Sequence, residues 1–399
     1  YSDRFFSFLN ELQSPIKNNN PNSDYIQNYN GFSQIYASIL NIPAINSQYW
    51  ISCREEQDNS ISLARNLCKY ANQMATNMPG IIVTFFIPNS WSNHKSFKEC
   101  GEVFDLHSYI KAFAAQHGFT TQIIEERTLT NLSMKKEIYW WLSLAFFVKA
   151  MRVPWTLANL DQNTAFAGIG YSLSKKQSGK FNIVIGCSHI YNSEGQGLRY
   201  KLSKIDNPIL DRKNNPYLTY NEAYKLGVNI QNLFIQSMDK LPKRVVIHKR
   251  TPFLEDEIKG ITEALAQANI TNVDLITITI EKNIRCLDQF FYNGQAKNSN
   301  FPLHRGTCMK LSDTECLLWT HGVVDSIKAG RNYYSGGKGI PSPLRISKFY
   351  GAGSMKTICN EILGFTKMNW NSFNFYTKLP ATIDTSNTLA QVGNMLDNY

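Results

Sequence analysis

From Gly80 to Lys149 the sequence alternates between short apolar runs and stretches with helical spacing, and this alternation most constrains the fold. "GIIVTFFIPN" is too short for a stable helix and is closed by Pro88-Asn89, so it reads as a buried strand. "FDLHSYIKAFAAQ" repeats its apolar residues at helical intervals and stops at His117-Gly118, with Gly118 in the C-cap place. "TTQIIEE" reads as the next strand, and the apolar stretch that reaches Lys149 as the next helix. Parallel strands need a crossover, usually a helix, so this order predicts an α/β layer, preceded by the helical pattern "SISLARNLCKYANQMA". The longest apolar run, "IYWWLSLAFFV", has 11 residues. A bilayer span takes about 20, so we expect a buried helix and no membrane segment.

Pro154 and the polar "ANLDQNT" mark a boundary. Beyond it, "TAFAGIGYSL" and "KFNIVIGCSHI" read as two strands joined by a polar hinge that ends in Gly179. "TYNEAYKLGVNIQNLFIQSM" is a long helix pattern, "KRVVIHKR" a strand, "LEDEIKGITEALAQ" a helix with an acidic start, and "VDLITITIEK" a strand. "GTCMKLSDTECLLWTHG" predicts a hairpin turning at "LSDTE", followed by the strand "SPLRISKFYG" and the helix "SMKTICNEILGFTKM". The polar patch Lys17 to Asp24 is expected to be a surface loop.

With 399 residues there is room for two domains, and 43% hydrophobic residues argue against a disordered chain. The 41 basic groups exceed the 31 acidic ones, giving a net charge of +10. That excess suits either an ordinary basic surface or a groove for a polyanion such as nucleic acid. Eight cysteines contain no Cys-x-x-Cys pair, so we expect scattered reduced thiols in a cytoplasmic protein and no zinc framework. The chain begins at Tyr1 and carries no recognisable signal peptide; we read it as processed or truncated.

Several motifs fall short of a function. "GAGSMKT" has Met355 where a phosphate-binding loop requires glycine before lysine, and "SGGKGIP" lacks a strand before and a helix after it. No Gly-x-Ser-x-Gly elbow accompanies the seven histidines, and no His-x-x-x-His pair offers a zinc site. The informative set is His107 and Lys111, four apart on one helix face, with Gln122 at the start of the next strand and Lys149 at the end of the next helix. In an α/β layer these can converge at one sheet edge, offering two ammonium groups and an amide for a phosphate and a flat ring for a base. By spacing alone, a solvated helix face with an ordinary glutamine is the simpler account.

Taken in order, these segments resemble a short prokaryotic Argonaute, from about Gly80 onward. The resemblance implies a Rossmann-like MID domain over residues 1–152 followed by an RNase H-like PIWI domain over residues 153–399. "HSYIK", "TTQ" and "FFVKAM" resemble the MID pocket for a guide's 5′ end. This implies that His107 stacks on the first base while Lys111, Gln122 and Lys149 hold the phosphate. It further implies a Mg²⁺ held by Gln122 and the chain's C-terminal carboxylate, here that of Tyr399, and guide-backbone contacts from Lys367 and Asn369. Family members that cut use acidic groups around two metal ions. Here the corresponding positions hold Gly170 in "GIGYS", Arg250 in "HKRTP" and Asn387 in "LPATIDTSNTLA", with Asp384 close by. We therefore expect no slicing by this chain.

The resemblance implies a guided binder: a small guide RNA, or DNA, paired with target single-stranded DNA. Its partner would be an APAZ-containing effector with a TIR, sirtuin-like or nuclease domain, acting in prokaryotic antiviral defence. Two other readings stay open: an active metal-dependent endonuclease rebuilt from acids such as Asp384 and Glu255, and a guide-free scaffold.

Overall fold

The computed structural model describes residues 1–17, 28–53, 59–99, 102–158, 163–175, 181–187, 192, 197, 201–205, 208–325, 340–371 and 376–398. Residues 18–24 of the polar patch, the hinge 176–179 and residues 335–339 of the glycine-rich loop lie outside them. Two compact units emerge. One is Tyr1–Pro154 with Trp370–Phe373 and Met395–Tyr399; the other is Trp155–Asn369 with Asn374–Asn394.

In the first unit, strands Ile82–Ile87 and Thr120–Glu125 pair in parallel, with Thr84 opposite Gln122. The helix Leu106–Gln116 lies between them in the chain and makes the crossover. Asp105 caps it, its Oδ1 accepting from the Ser108 amide at 2.7 Å, and Gly118 leaves it with a left-handed φ of 72°. Alternate strand residues enter different cores, as the two-residue period of a strand requires. Val83, Phe85 and Ile87 pack with Leu63 and Leu67 of helix Ser60–Asn77 and with Tyr109 and Ile110. Ile82, Phe86 and Ile124 instead meet Ile138, Tyr139 and Phe146 of helix Lys135–Lys149 and Phe5 and Phe8 of helix Ser2–Glu11. Most of the eleven-residue apolar run is thus spent inside the domain, while Trp141 stays exposed.

The second unit is built on an eight-stranded sheet. Its order is Cys308–Lys310, Glu315–Leu318, Leu344–Tyr350, Asn272–Ile280, Arg244–Lys249, Thr164–Lys175, Phe181–Cys187, Lys201–Ile205. The last three form antiparallel pairs, whereas Arg244–Lys249 runs parallel to both Thr164–Lys175 and Asn272–Ile280. Numbered along the chain, those five strands lie in the order 3-2-1-4-5, the RNase H-like arrangement expected from the sequence, and three antiparallel strands extend it. Ala165, Ala167, Ile169, Val245 and Ile247 face the helices Tyr220–Met238 and Glu255–Gln267. On the other face, Phe166 packs on Phe365 of helix Met355–Phe365, with ring centroids 4.7 Å apart. His248 Nδ1 lies 2.8 Å from Thr382 Oγ1 of helix Ala381–Asn398 on that same face.

Buried charge holds the second sheet to its helices. Arg244 donates from Nε to Asp274 Oδ2 at 2.8 Å and from Nη1 to Glu361 Oε1 at 2.5 Å. The loop "GAGS" serves this network: the Gly353 amide donates to Asp274 Oδ1 at 2.9 Å, and Ser354 caps the Met355–Phe365 helix. Its glycines thus approach a carboxylate of the protein's own. No helix among the described residues is long and apolar enough to cross a membrane.

Candidate functional site

His107 lies in the first turn of the Leu106–Gln116 helix and Lys111 one turn further on, on the same face. The parallel strand next to them contributes Gln122, and Lys149 closes the Lys135–Lys149 helix. Lys149 Nζ donates to Gln122 Oε1 at 2.5 Å, while Gln122 Nε2 donates to the Ile123 carbonyl at 2.9 Å. The glutamine is therefore fixed with its oxygen towards the Lys149 ammonium.

Electrostatic coupling brings in the other two members. His107 and Lys111 keep solvent-accessible surface, yet enough protein surrounds them for desolvation to dominate. Burial, then the Lys111 ammonium, hold the His107 imidazole down at about 4, so the ring is neutral at pH 7. Burial also lowers Lys111, opposed by Asp105. Burial followed by the Lys111 charge brings Lys149 down to about 7. Lys111 thus lowers the basicity of both Lys149 and His107, only partly offset by the Asp105 and Glu125 carboxylates, and such a site gains from an anion.

In the second unit, Gly170, one of the positions expected for a catalytic acid, is tightly packed. Gly170 lies on the central strand, buried, facing the Ala381–Asn398 helix. A Cβ at residue 170 would run into the Ser386 carbonyl group and come 2.7 Å from the Asn387 amide nitrogen. The structure thus brings Gly170 and Asn387 together, backbone against backbone, with no room for a side chain at the first. Arg250, just past the end of its strand, is exposed. The neighbouring Lys249 is fully buried and bonds both oxygens of Glu257, at 2.7 and 2.6 Å, with the Phe253 ring 4.6 Å away.

Compared with known families, residues 102–397 match the Piwi domain. The chain belongs to the Piwi family. Argonaute from Aquifex aeolicus (strain VF5) is 25% identical to this Piwi protein over 292 residues, which are 72% of this chain and 36% of that one. A crystal structure of A. aeolicus Argonaute superposes with a TM-score of 0.52 at 22% identity, covering 82% of this chain and 41% of its own. Clostridium butyricum Argonaute, solved with a guide DNA bearing 5′ deoxycytidine and a 19-mer target DNA, gives 0.60 at 17% identity, over 96% and 44%. These structures establish the fold. The Piwi protein spans about two fifths of the length of the relatives it matches.

The remaining expected site residues of this Piwi protein fall as follows. Lys367 is exposed just beyond the Met355–Phe365 helix; burial of its stem, then Arg305, lowers its basicity. Asn369 is half-buried and donates from Nδ2 to Asp384 Oδ2 at 2.9 Å. Burial raises Asp384 above the usual carboxylate range. Glu255 opens its helix at an exposed position. Tyr399 lies outside the described residues. Of the two ligands expected for Mg²⁺, the described residues include Gln122, whose Oε1 accepts from the Lys149 ammonium. A dication fits beside that ammonium only with an anion between them.

Sequence reasoning missed one cluster altogether. Cys308, Cys316 and Cys359 place their sulfurs within 4.8 Å of one another. They come from two strands and a helix, so no spacing along the chain announces them.

Proposed function

We propose that this Piwi protein holds a small guide, RNA or DNA, by its 5′-phosphate and uses it to capture complementary single-stranded DNA. The bond between Lys149 and Gln122, and the electrostatic influence of Lys111 on both Lys149 and His107, carry this reading. A phosphate arriving there adds negative charge beside Lys149, so Lys149 completes its protonation as the phosphate binds. The neutral His107 ring is suited to stack on the first base. Base pairing reads the target sequence, while protein cations such as Lys367 screen the guide backbone.

On this reading the chain does not cut its target. Hydrolysis of a phosphodiester by an RNase H-like site needs oxygen ligands for two divalent ions. Gly170 offers none, Arg250 is a cation, and the backbone at Ser386 fills the space beside Gly170. Glu255 is exposed at the start of its helix, and Asp384 is engaged with Asn369. Among the described residues, the one group of three or more histidine, cysteine or acidic side chains close enough to share a metal is the cysteine trio.

A guided binder that does not cut requires another chain to act. We assign that role to an APAZ-containing partner carrying a TIR, sirtuin-like or nuclease domain, with target capture as its trigger in defence against invading DNA. The hairpin of strands Leu287–Tyr292 and Gln295–Pro302 exposes Phe290, Phe291 and Tyr292, an aromatic surface of the kind a protein partner covers.

The test is to load the protein with a guide and offer labelled matched single-stranded DNA in Mg²⁺ or Mn²⁺. The expected result is retention of intact matched target and release of a scrambled one. Guide-directed cleavage product would overturn the reading.

A further inference from the structure

The three cysteines meet for a reason the sheet makes plain. Cys308 pairs with Leu318, and Cys316 with Lys310. Paired residues and residues two apart on one strand share a face, so Cys308 and Cys316 lie diagonally on the same side. The Met355–Phe365 helix lays Cys359 over them. Its sulfur is 3.7 Å from that of Cys308 and 3.0 Å from that of Cys316. Cys316 and Cys359 are buried, while Cys308 is exposed.

This is a donor set for a soft cation. Three thiol sulfurs with no carboxylate among them select thiophilic metals over Mg²⁺ or Ca²⁺. Zinc bound tetrahedrally at the usual sulfur distance holds its sulfurs about 3.8 Å apart. The Cys308–Cys359 separation already meets that spacing, and Cys316 reaches it by a shift of under about 1 Å.

We propose that Cys308, Cys316 and Cys359 form a thiolate metal site, with Zn²⁺ as its occupant. Three thiols bind Zn²⁺ as thiolates and release three protons to solvent. The fourth coordination place falls on the Cys308 side, open to water. The ion ties the edge hairpin of the sheet to the Met355–Phe365 helix, so its loss loosens that edge. The site lies on unit two's own elements and does not depend on guide binding.

The experiment uses the full chain, purified in reductant under anaerobic conditions. Metal content is measured by mass spectrometry, and Co²⁺ is added to the metal-free protein to look for sulfur-to-cobalt charge transfer in the near ultraviolet. The expected result is one zinc per chain and a thiolate–cobalt band. Cys308→Ser, at the exposed position where folding is least at risk, should weaken zinc binding tenfold or more; Cys359→Ser should abolish it. Three results would overturn the site: no zinc and no cobalt band in folded wild type, equal metal content in wild type and variants, or a metal-free protein in which Cys316 and Cys359 are joined as a disulfide.

Discussion

The carbonyl group of Ser386 occupies the space where a side chain at Gly170 would begin. A central strand and a helix are therefore in backbone contact at one of the three positions where the sequence resemblance sets the expectation of an acid.

Restoring that acid should fail. Gly170→Ala forces strand and helix apart and should cost about 1–3 kcal/mol, the usual penalty for overpacking a core. Gly170→Asp adds a buried carboxylate and should cost more, without generating cleavage in Mn²⁺. Thermal unfolding of both variants, with a nuclease assay on the second, checks this. A neutral Gly170→Ala would mean that the helix does not close on the strand.

Fully buried Lys249 neutralises Glu257, whose carboxylate also accepts the amides of Leu218 and Leu254. Lys249→Met should cost about 3–5 kcal/mol, because it strands a buried charge. Adding Glu257→Leu should recover part of that, the two amides remaining unpaired. Denaturant unfolding of the single and double variants measures the difference.

His248 sits fully buried against Thr382, and burial, then Arg244, hold it neutral down to about 3. The unfolded chain takes up that proton near pH 6.5, so acid favours unfolding. Stability should fall as pH drops below 6.5, by about 1.4 kcal/mol per unit from this group alone, levelling off near pH 3. In His248→Asn, which has nothing to titrate, the pH slope over this range should be smaller by one proton.

Lys149 makes guide affinity pH-dependent. Its ammonium is half formed near pH 7 in the free pocket, and a bound phosphate favours the charged form. The preference for a 5′-phosphate should therefore weaken as pH rises above 7. Lys149→Arg, charged throughout, should flatten the profile. Competition between phosphorylated and unphosphorylated guides at pH 6.5 and 8.5 reads this out.

Most of the fold was legible because its elements are local. The strand "IVTFFI", the capped helix from Leu106 to Gln116 and the strands flanking Gly170 follow from two- and 3.6-residue periods and from Gly and Pro at their ends. The helix Ala381–Asn398 escaped notice, its Thr-, Ser- and Asn-rich start lacking a clear apolar stripe. The aromatic hairpin from Leu287 to Pro302 escaped too, since its strands are largely exposed and bury no alternating face. Long-range groupings were invisible in principle. Arg244, Asp274 and Glu361 lie on two strands and a helix, and the cysteine trio spans Cys308 to Cys359. Of the pocket, His107 and Lys111 share a helical period, whereas Lys149 meets Gln122 only through the packing of the Lys135–Lys149 helix on its strand.

The most direct test compares 5′-phosphorylated with 5′-hydroxyl 20-mer guides, RNA and DNA, bound to wild type and to Lys111→Ala. We predict a strong phosphate preference in the wild type that falls by roughly tenfold or more in the variant, in keeping with loss of a charge-assisted contact. Equal, weak binding of all guides by both proteins would contradict the account and leave the chain a scaffold without a guide.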